Sequence, residues 1–488
     1  MSEKKEQLIR IVGMENVIDD PEILDAYSRD NSFTPPMNPR LVVKPKNTDE
    51  VQGIVRWANQ TRTPLIPVSS SPPHFRGDTV PSLPEAVIVD LSTMQRIIRI
   101  DRRNRVVMIE PGVTFSQLQP ELAKEGMRLS MPLLPRNNKS VLASLLEREP
   151  TLVPKYNWHI PEPLRCLEVV FGSGDTVMTG EAGDHGPIEE QWEMGWVQMH
   201  PSGPAQTDFY RLVQAAQGSM GIVTWATVRC EVMPQLHKLF FVQSERLDDL
   251  LGFAYRLLRF RYADEFLFLN NSNLATILGE GADQIKALRK KLPPWILILG
   301  VAGRDLLPKE KVEFQEKDIS DSAQQFGLQL SSALPGARGM EVLEVLRNPC
   351  DDLYWKLRFK GGCQDIFFLT TLDRTPQFVD CIHSVSQAHD YSPSEIGIYI
   401  QPVHQGVGCH CEFSLPYDPG NQIEISKIKK LFSDASEALV NERAFFSRPY
   451  SIWAEMVYNR DAQTTTVLKK IKGIFDPNNV MNPGKLCF

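Results

Sequence analysis

Short apolar runs that alternate with turn residues and one-sided helical segments constrain the fold of this chain more than any other sequence feature. Thr48 is predicted to cap a helix after the first run, and Thr114 to open another helix with Leu118 and Leu122 facing inwards. This pattern is typical of a mixed α/β domain. The predicted strands are residues 41–45, 64–68, 86–91, 96–101 and 106–113.

From about residue 238 the pattern changes to longer alternations of strand and helix. Together they predict an α+β domain built on an antiparallel sheet, with helices on one face. The predicted strands are residues 238–243, 265–269, 295–301, 365–372 and 395–403. Four helices are predicted in this part of the chain. The first ends at about residue 260, the second covers 308–326, the third begins near Thr375, and the fourth covers about 424–440.

The length of 488 residues exceeds what one hydrophobic core usually supports, so two domains are expected. We predict a first domain at 1–236, with subdomains at about 1–105 and 106–236, and a second domain at 237–440. Residues 441–488 are predicted to return to the first domain as an irregular tail.

Composition excludes several classes of function. A net charge of -7 without a concentrated basic run argues against nucleic-acid binding. No run of about 18 apolar residues is present, so no membrane span is expected. The eight cysteines form no CxxC pair, which argues against zinc or iron–sulfur sites. The N-terminal residues lack an apolar signal region, so we predict a cytoplasmic protein that acts on small molecules.

Three separated segments carry a family resemblance. They are PLIPVSSSPPHFRGDTVP at 64–81, AAQGSMGIVTWATV at 215–228 and FDPNNVMNPGKL at 475–486. In this order they resemble the FAD-linked oxidoreductases of the vanillyl-alcohol oxidase and p-cresol methylhydroxylase superfamily, which is related to glycolate and D-lactate dehydrogenase flavoproteins. The resemblance implies an α+β fold with a two-part FAD-binding domain of the p-cresol methylhydroxylase type and an α+β substrate or cap domain.

The resemblance also assigns cofactor contacts. Loop backbones would wrap the FAD pyrophosphate, and small residues would let the chain approach the cofactor closely. The residues implied are Ser69, Ser70, Ser71, His74, Gly77, Ser140, Ala143, Gly218, Gly221, Ile222, Val223, Asn482 and Lys485. For His74, covalent attachment to FAD is the alternative to a polar residue that lines the loop, which we favour.

Two loops depart from the family pattern. Residues 68–73, VSSSPP, replace a glycine-rich loop, and prolines donate no N–H. Within the Pro-rich and irregular stretch 136–165, Glu147 and Glu149 fall where glycines would face the pyrophosphate, and Arg148 or another cation would have to offset them. The alternatives are a reshaped FAD cradle, which we favour, and a chain that has lost FAD.

Residues 399–419 are predicted to form a hairpin with Gly406 and Gly408 in its turn. Strand alternation then places His410 and Glu412 on one face, and Cys409 and Cys411 on the other.

His404, Gly406 and Gly408 match the start of the metal-binding motif HxGDGNxH of the D-2-hydroxyacid dehydrogenases, but Val407 and Cys411 break it. A substrate-facing polar cluster is therefore favoured over a metal site at His404. Polar residues satisfied within the sheet are the third alternative.

The segment NERAFFSRPYSIWAEMVY, residues 441–458, resembles the stretch that holds a phenolate in the phenol-oxidising branch. Arg448 occupies the arginine position of that branch, whereas Ser447 replaces its tyrosine. Arg448 would anchor a phenolate or carboxylate, and Tyr450 and Trp453 would add aromatic surface. The alternative is that Arg448 forms a salt bridge across the domain interface.

These observations predict an FAD-dependent oxidoreductase that transfers a hydride from a phenolic, alcohol or 2-hydroxyacid substrate to flavin N5. His404 or His410 would accept the hydroxyl proton, with Glu412 orienting one of them. Electrons would pass to a separate acceptor such as oxygen, a quinone, an electron-transfer flavoprotein, an iron–sulfur subunit or a cytochrome. The protein would form a homodimer or a heteromeric complex. The alternatives are a D-2-hydroxyacid dehydrogenase with a metal at His404, and a flavin-free scaffold subunit of an oxidoreductase complex.

Overall fold

The computed structural model describes residues 3–157, 162–184, 186–204, 208–351 and 354–488. Its first unit is a four-stranded sheet in the order β1-β2-β4-β3, in which β1 is antiparallel to β2 and the other pairs are parallel. The strands are β1 (Val17–Ile18), β2 (Leu41–Val43), β3 (Leu65–Val68) and β4 (Val87–Asp90). The helices of this unit are α1 (Glu3–Val12), α2 (Pro21–Ser28) and α3 (Thr48–Thr61).

Helix α3 packs an apolar face that includes Val51 and Ile54 into the core of this unit, as its periodicity predicts. The predicted cap was wrong by one residue. Asn47 is the N-cap, because its side-chain oxygen accepts the main-chain N–H of Glu50 at 2.9 Å, and Thr48 is the first helical residue.

The second unit is a five-stranded antiparallel sheet in the order β5-β6-β10-β8-β9. It also contains a separate two-stranded antiparallel sheet of β7 and β11. Its strands are β5 (Ile97–Asp101), β6 (Val106–Ile109), β7 (Met127–Arg128), β8 (Leu164–Phe171), β9 (Thr176–Met178), β10 (Gly221–Arg229) and β11 (Glu231–Val232). Its helices are α4 (Phe115–Lys124), α5 (Val141–Leu146), α6 (Ile188–Glu193) and α7 (Tyr210–Val213).

Two features of this unit differ from expectation. Helix α5 lies within the stretch predicted to be irregular, and it forms because Ser140 caps it and its apolar residues are buried in the second unit. Strand β5 pairs with β6, although the predicted boundary near residue 105 falls between these two strands.

The third unit is a seven-stranded antiparallel sheet in the order β15-β12-β14-β13-β19-β20-β18. Its strands, with the small pair β16 and β17, are β12 (Leu236–Ser244), β13 (Phe266–Asn270), β14 (Trp295–Gly303), β15 (Leu330–Ser331), β16 (Ala333–Leu334), β17 (Ala337–Arg338), β18 (Gly362–Thr370), β19 (Gly397–Val403) and β20 (Gly408–Tyr417). Its helices are α8 (Asp248–Phe260), α9 (Asn271–Leu278), α10 (Ala282–Lys291), α11 (Pro308–Gln325), α12 (Gly339–Arg347), α13 (Thr375–Ala388) and α14 (Gln422–Asn441).

Helices cover both faces of the seven-stranded sheet, so the expectation of helices on one face was wrong. Helices α8, α11, α13 and α14 pack on the face that carries Cys409 and Cys411. Helices α9, α10 and α12 cover part of the other face. The uncovered part of that face, near His410 and Glu412, borders a cavity, and the predicted alternation along β20 is thereby confirmed.

The last segment is more helical than predicted, with α15 (Ile452–Tyr458) and α16 (Ala462–Phe475). It returns to the first unit as expected: the main-chain N–H of Leu65 donates to Val480 O at 2.7 Å, and Asn482 N–H donates to Leu65 O at 2.8 Å. Among the helices described, none is both long enough and apolar enough to cross a bilayer. The α+β class predicted from the sequence is confirmed by the three sheets.

Candidate active site

Two adjoining cavities lie between the units. The central cavity, about 300 Å³, borders the free part of the seven-stranded sheet, and the loop cavity, about 130 Å³, lies among the loops of the first two units. They share six lining residues, so they lie side by side. These junction residues are Ser70, His74, Asp78, Thr79, Glu147 and Tyr450.

The loop cavity gathers most residues that the resemblance assigned to the cofactor. Ser69, Ser70, His74, Ala143, Gly218, Gly221, Ile222 and Val223 line it. Gly218 has φ +69°, and a Cβ atom there would lie 2.5 Å from Cγ of Pro67. A side chain at this position would therefore be strained and would crowd the cavity wall.

Two further assigned residues, Asn482 and Lys485, bind main-chain carbonyls of the loops that line the cavity. Lys485 Nζ donates to Gly77 O and to Val80 O, both at 2.8 Å. Asn482 Nδ2 donates to Asp78 O at 2.9 Å and to the carbonyl of Gln217 at 2.6 Å. The tail thus braces residues 77–80 from the far end of the sequence.

Ser71 and Ser140 form hydrogen bonds with other residues of the chain. Arg136 donates from Nη2 to Ser71 O at 3.0 Å and from Nη1 to Pro73 O at 2.7 Å. These bonds hold the loop through its carbonyl groups, because its prolines have no main-chain N–H to donate. Ser140 caps α5, and its main-chain N–H donates to Ser70 Oγ at 2.9 Å. The two departing loops are therefore tied to each other.

The acidic residues of the second loop are neutralised locally. Lys139 Nζ lies 3.1 Å from Glu147 Oε2 and 2.8 Å from Glu149 Oε1, and Arg76 Nη2 lies 2.8 Å from Glu149 Oε1. Burial raises the pKa of Glu149, but Lys139 and Arg76 outweigh it and lower the pKa to about 2. The offsetting cations are therefore Lys139 and Arg76 and not Arg148, whose Nη2 donates instead to Gln214 O at 3.3 Å.

Aromatic rings and two guanidinium groups shape the central cavity. The rings of Phe75 and Tyr354 lie 4.7 Å apart. The guanidinium carbon of Arg76 lies 4.8 Å from the centroid of the Phe367 ring, and that of Arg448 lies 4.3 Å from the same centroid. Two cations are thus held on one ring at the cavity wall.

Arg448 is buried, with 4% of its surface exposed. Its guanidinium donates from Nη2 to His410 Nδ1 at 3.3 Å and from Nη1 to the carbonyl of Glu147 at 3.4 Å, and no carboxylate in the described part of the chain forms a salt bridge with it. Burial, reinforced by Arg76, lowers the pKa of Arg448 to about 10. A buried cation without an anionic partner is costly, so this guanidinium is suited to receive an anion.

A buried chain of polar groups continues from Arg448. A guanidinium only donates, so His410 Nδ1 accepts and the ring proton lies on Nε2, which donates to Glu412 Oε2 at 3.2 Å. Burial lowers the pKa of His410. Lys356 bridges Glu412 to Asp365, with Nζ 2.8 Å from Asp365 Oδ1. Burial would raise the pKa of Glu412, but Lys356 holds it well below its usual range.

His404 is not brought into the central cavity. It lines a separate space of about 30 Å³, which also reaches His410 and Arg448. In the described ranges of the chain, no three His, Cys, Asp or Glu side chains are gathered in a way that could hold a metal. His410, Glu412, Arg448 and Tyr450 line the central cavity together.

Sequence reasoning missed three charged residues of the site. Arg76 and Asp78 flank Gly77 in the first loop, and this position in a recognised loop was a usable signal. Lys356 follows no strand or motif, and the sequence carries no signal for it.

The residues present fit FAD. The two adjoining cavities give an extended space, Gly218 and Ala143 leave room at its wall, and Ser69 and Ser70 line it. Within the residues described, the buried Asn482 Oδ1 lacks a hydrogen-bond partner and remains free to accept one. Lys139 and Arg76, in the wall of the central cavity, offset the carboxylates of Glu147 and Glu149.

Comparisons with known proteins agree with this geometry. Residues 39–178 match the family described as FAD binding domain, and residues 452–486 match FAD linked oxidases, C-terminal domain. A glycolate oxidase subunit of Bacillus subtilis is 23% identical over 99% of this chain and 96% of its own length. A D-2-hydroxyglutarate dehydrogenase of Stutzerimonas stutzeri is 22% identical over 99% of this chain and 98% of its own length.

Further similarities extend to cresol oxidation. The flavoprotein subunit of 4-cresol dehydrogenase from Pseudomonas putida is 27% identical over 38% of this chain and 35% of its own length. A crystal structure of p-cresol methylhydroxylase with substrate bound superimposes with a TM-score of 0.81 at 18% identity, covering 99% of this chain and 96% of that chain. The chain therefore carries an FAD binding domain and the C-terminal domain of FAD linked oxidases, it is an FAD-linked oxidoreductase, and it shares its fold with p-cresol methylhydroxylase.

Proposed function

We propose that this chain oxidises a CH–OH group of a small molecule that also carries an anionic oxygen, and that Arg448 anchors that oxygen. The observation that carries the proposal is a buried guanidinium in the cavity wall without a carboxylate partner among the described residues. A phenolate or carboxylate would supply the missing countercharge. FAD, when bound, supplies the acceptor for the hydride.

The surrounding residues would orient the substrate. His410, kept neutral with its proton on Nε2, holds Arg448 Nη2, while Glu412 holds His410. Burial raises the pKa of Tyr450, so its hydroxyl stays protonated and is available as a hydrogen-bond donor at the junction. The aromatic walls exclude water from the reacting groups.

The cavity favours an aromatic substrate. A volume of about 300 Å³ with Phe75, Tyr354 and Trp453 in its wall exceeds the needs of a two- or three-carbon acid. A 2-hydroxy acid is the second candidate, because the glycolate oxidase subunit and D-2-hydroxyglutarate dehydrogenase match the whole chain. In that case Arg448 would bind the carboxylate.

A separate acceptor would then receive the two electrons. The cresol-oxidising relative is named as a flavoprotein subunit, which supports a partner protein in this role. None of the eight cysteines, all of which lie in the described ranges, forms a disulfide bond, which suits a reducing compartment such as the cytoplasm.

The proposal is tested by absorbance spectroscopy of the purified protein reconstituted with FAD. We expect a flavin spectrum that bleaches under anaerobic conditions when the substrate is added, with a 4-hydroxybenzyl alcohol, glycolate, D-lactate and D-2-hydroxyglutarate as probes. Bleaching by the benzyl alcohol would support the aromatic class, and bleaching by an aliphatic acid the second candidate. Failure to bind FAD, or failure of every probe to reduce it, would contradict the proposed function.

A further inference from the structure

We propose that Asp78 accepts the proton of the substrate hydroxyl, an inference that rests on the proposed function. Asp78 is one of the junction residues, so it lines both the loop cavity, which gathers most residues assigned to the cofactor, and the central cavity, whose wall contains Arg448. A proton acceptor must lie where the two reactants meet. Neither histidine predicted for this task occupies that place.

Both ring nitrogens of His410 are already engaged. Nδ1 accepts from Arg448 and Nε2 donates to Glu412, so His410 could receive a substrate proton only after breaking its bond to the guanidinium. His404 lines the separate space of about 30 Å³ and not the central cavity. The junction carboxylates are the basic groups that remain.

The backbone around Asp78 is held rigidly. Asn482 Nδ2 donates to its carbonyl at 2.9 Å, and Lys485 holds the carbonyls of Gly77 and Val80 at 2.8 Å. The main-chain N–H of Gly77 donates to Asp30 Oδ2 at 2.5 Å. A catalytic group needs this kind of fixed position, since small displacements slow proton transfer.

The charges around Asp78 favour uptake of a proton. Glu147 and Asp30 repel its charge, whereas Lys485 and Arg76 attract it through space without a hydrogen bond. His74 and Tyr450 are the other titratable groups at the junction, and burial lowers the pKa of His74 and raises that of Tyr450, so both remain neutral.

Glu147 is the less suitable acceptor of the two junction carboxylates. Its Oε2 already forms an ion pair with Lys139 Nζ at 3.1 Å. Among the described residues no side chain forms an ion pair of this kind with Asp78, and burial, followed by Glu147 and Asp30, raises its pKa to about 6, close to working pH.

The proposed step is balanced within the protein and its cofactor. The substrate carbon loses its C–H bond as a hydride, with two electrons, to FAD, which is the oxidant. The O–H bond breaks at the same carbon, its proton forms a new O–H bond on the Asp78 carboxylate, and a C=O double bond remains in the product. Asp78 afterwards releases the proton to solvent.

The kinetic test measures anaerobic reduction of the FAD-loaded protein, with the reducing probe found above, as a function of pH. For the wild type we expect the rate to fall as pH decreases through about 6. Asp78→Asn should lower the rate at least about a hundredfold and abolish this pH dependence, because the amide cannot accept a proton. Asp78→Glu should restore part of the rate together with the pH dependence.

A second measurement needs neither FAD nor substrate. The pKa of Asp78 is about 6 in the folded chain and about 3.9 in the unfolded chain. Protonation of Asp78 therefore stabilises the folded state fully below about pH 4, and this stabilisation is lost as the pH rises through about 6. Asp78→Asn should therefore raise the melting temperature of the apoprotein above about pH 7, with the gain vanishing below about pH 4. Asp305→Asn, at an exposed aspartate, is the matched control and should show no such difference.

The outcomes separate the two proposals. If no probe reduces the wild type, the proposed function fails. If the wild type is reduced and Asp78→Asn keeps its rate, or loses rate but keeps the acid limb of the pH profile, Asp78 is not the acceptor. If the apoprotein variant shows no pH-dependent gain over wild type, Asp78 lacks the required proton affinity and the inference is overturned.

Discussion

Arg448→Ala is expected to lower kcat/KM for the reducing substrate about 100-fold, which corresponds to about 2.7 kcal/mol of transition-state binding. The reason is the loss of a charge-assisted contact to an anionic oxygen, which is typically worth about 1.5–3 kcal/mol. Steady-state kinetics with the wild type and the variant, both saturated with FAD, measure the effect. The expected loss applies to anionic substrates.

Arg448→Lys is the matched variant for this experiment. It keeps the positive charge but loses the planar fork that bonds His410 and the carbonyl of Glu147, so we expect an intermediate loss. A methyl ether or ester of the substrate, which lacks the anionic oxygen, should bind the wild type poorly and respond little to either substitution. A kcat/KM of Arg448→Ala within twofold of wild type would remove Arg448 from the substrate site.

Lys485→Met is expected to weaken FAD binding by about 10–100-fold and to destabilise the first unit by about 3 kcal/mol, because two charge-assisted bonds to main-chain carbonyls are lost. The ammonium holds Gly77 O and Val80 O at 2.8 Å and is itself 8% exposed. Methionine fills a similar volume, so the loss of FAD affinity and stability would result from the lost hydrogen bonds and not from a new cavity. Fluorescence titration with FAD and thermal unfolding of the apoprotein measure the two quantities.

Lys470→Met provides the control for this prediction. Lys470 is exposed on α16, so the same change in charge should alter FAD affinity and melting temperature little. Equal behaviour of Lys485→Met and Lys470→Met would show that the tail does not brace the loop through Lys485.

The fold was largely predictable because its strands carry strong periodic signals. The alternation along β20 placed His410 and Glu412 on the cavity side and Cys409 and Cys411 in the core. Short helices were missed where their formation depends on burial and not on sequence pattern alone. Helix α5 has only six residues, and it exists because the second unit covers it.

Pairwise charge contacts in the site were harder to predict than the fold. Arg148 is adjacent in sequence to Glu147 and Glu149, yet Lys139 and Arg76 neutralise them, because a loop in the first unit and a turn before α5 meet there. Likewise His404 and His410 lie close in sequence, but the hairpin turn sends only His410 into the central cavity. Such partners depend on tertiary contacts, which one sequence does not encode in its local spacing.

The brace formed by Asn482 and Lys485 sets an order of events during biosynthesis. The loop at residues 77–80 emerges from the ribosome 405 positions before the ammonium that holds Val80. At translation rates of about 5–20 residues per second, the nascent loop therefore waits roughly 20–80 s without its support. The support of residues 77–80 by the tail is therefore completed only after the third unit has been synthesised.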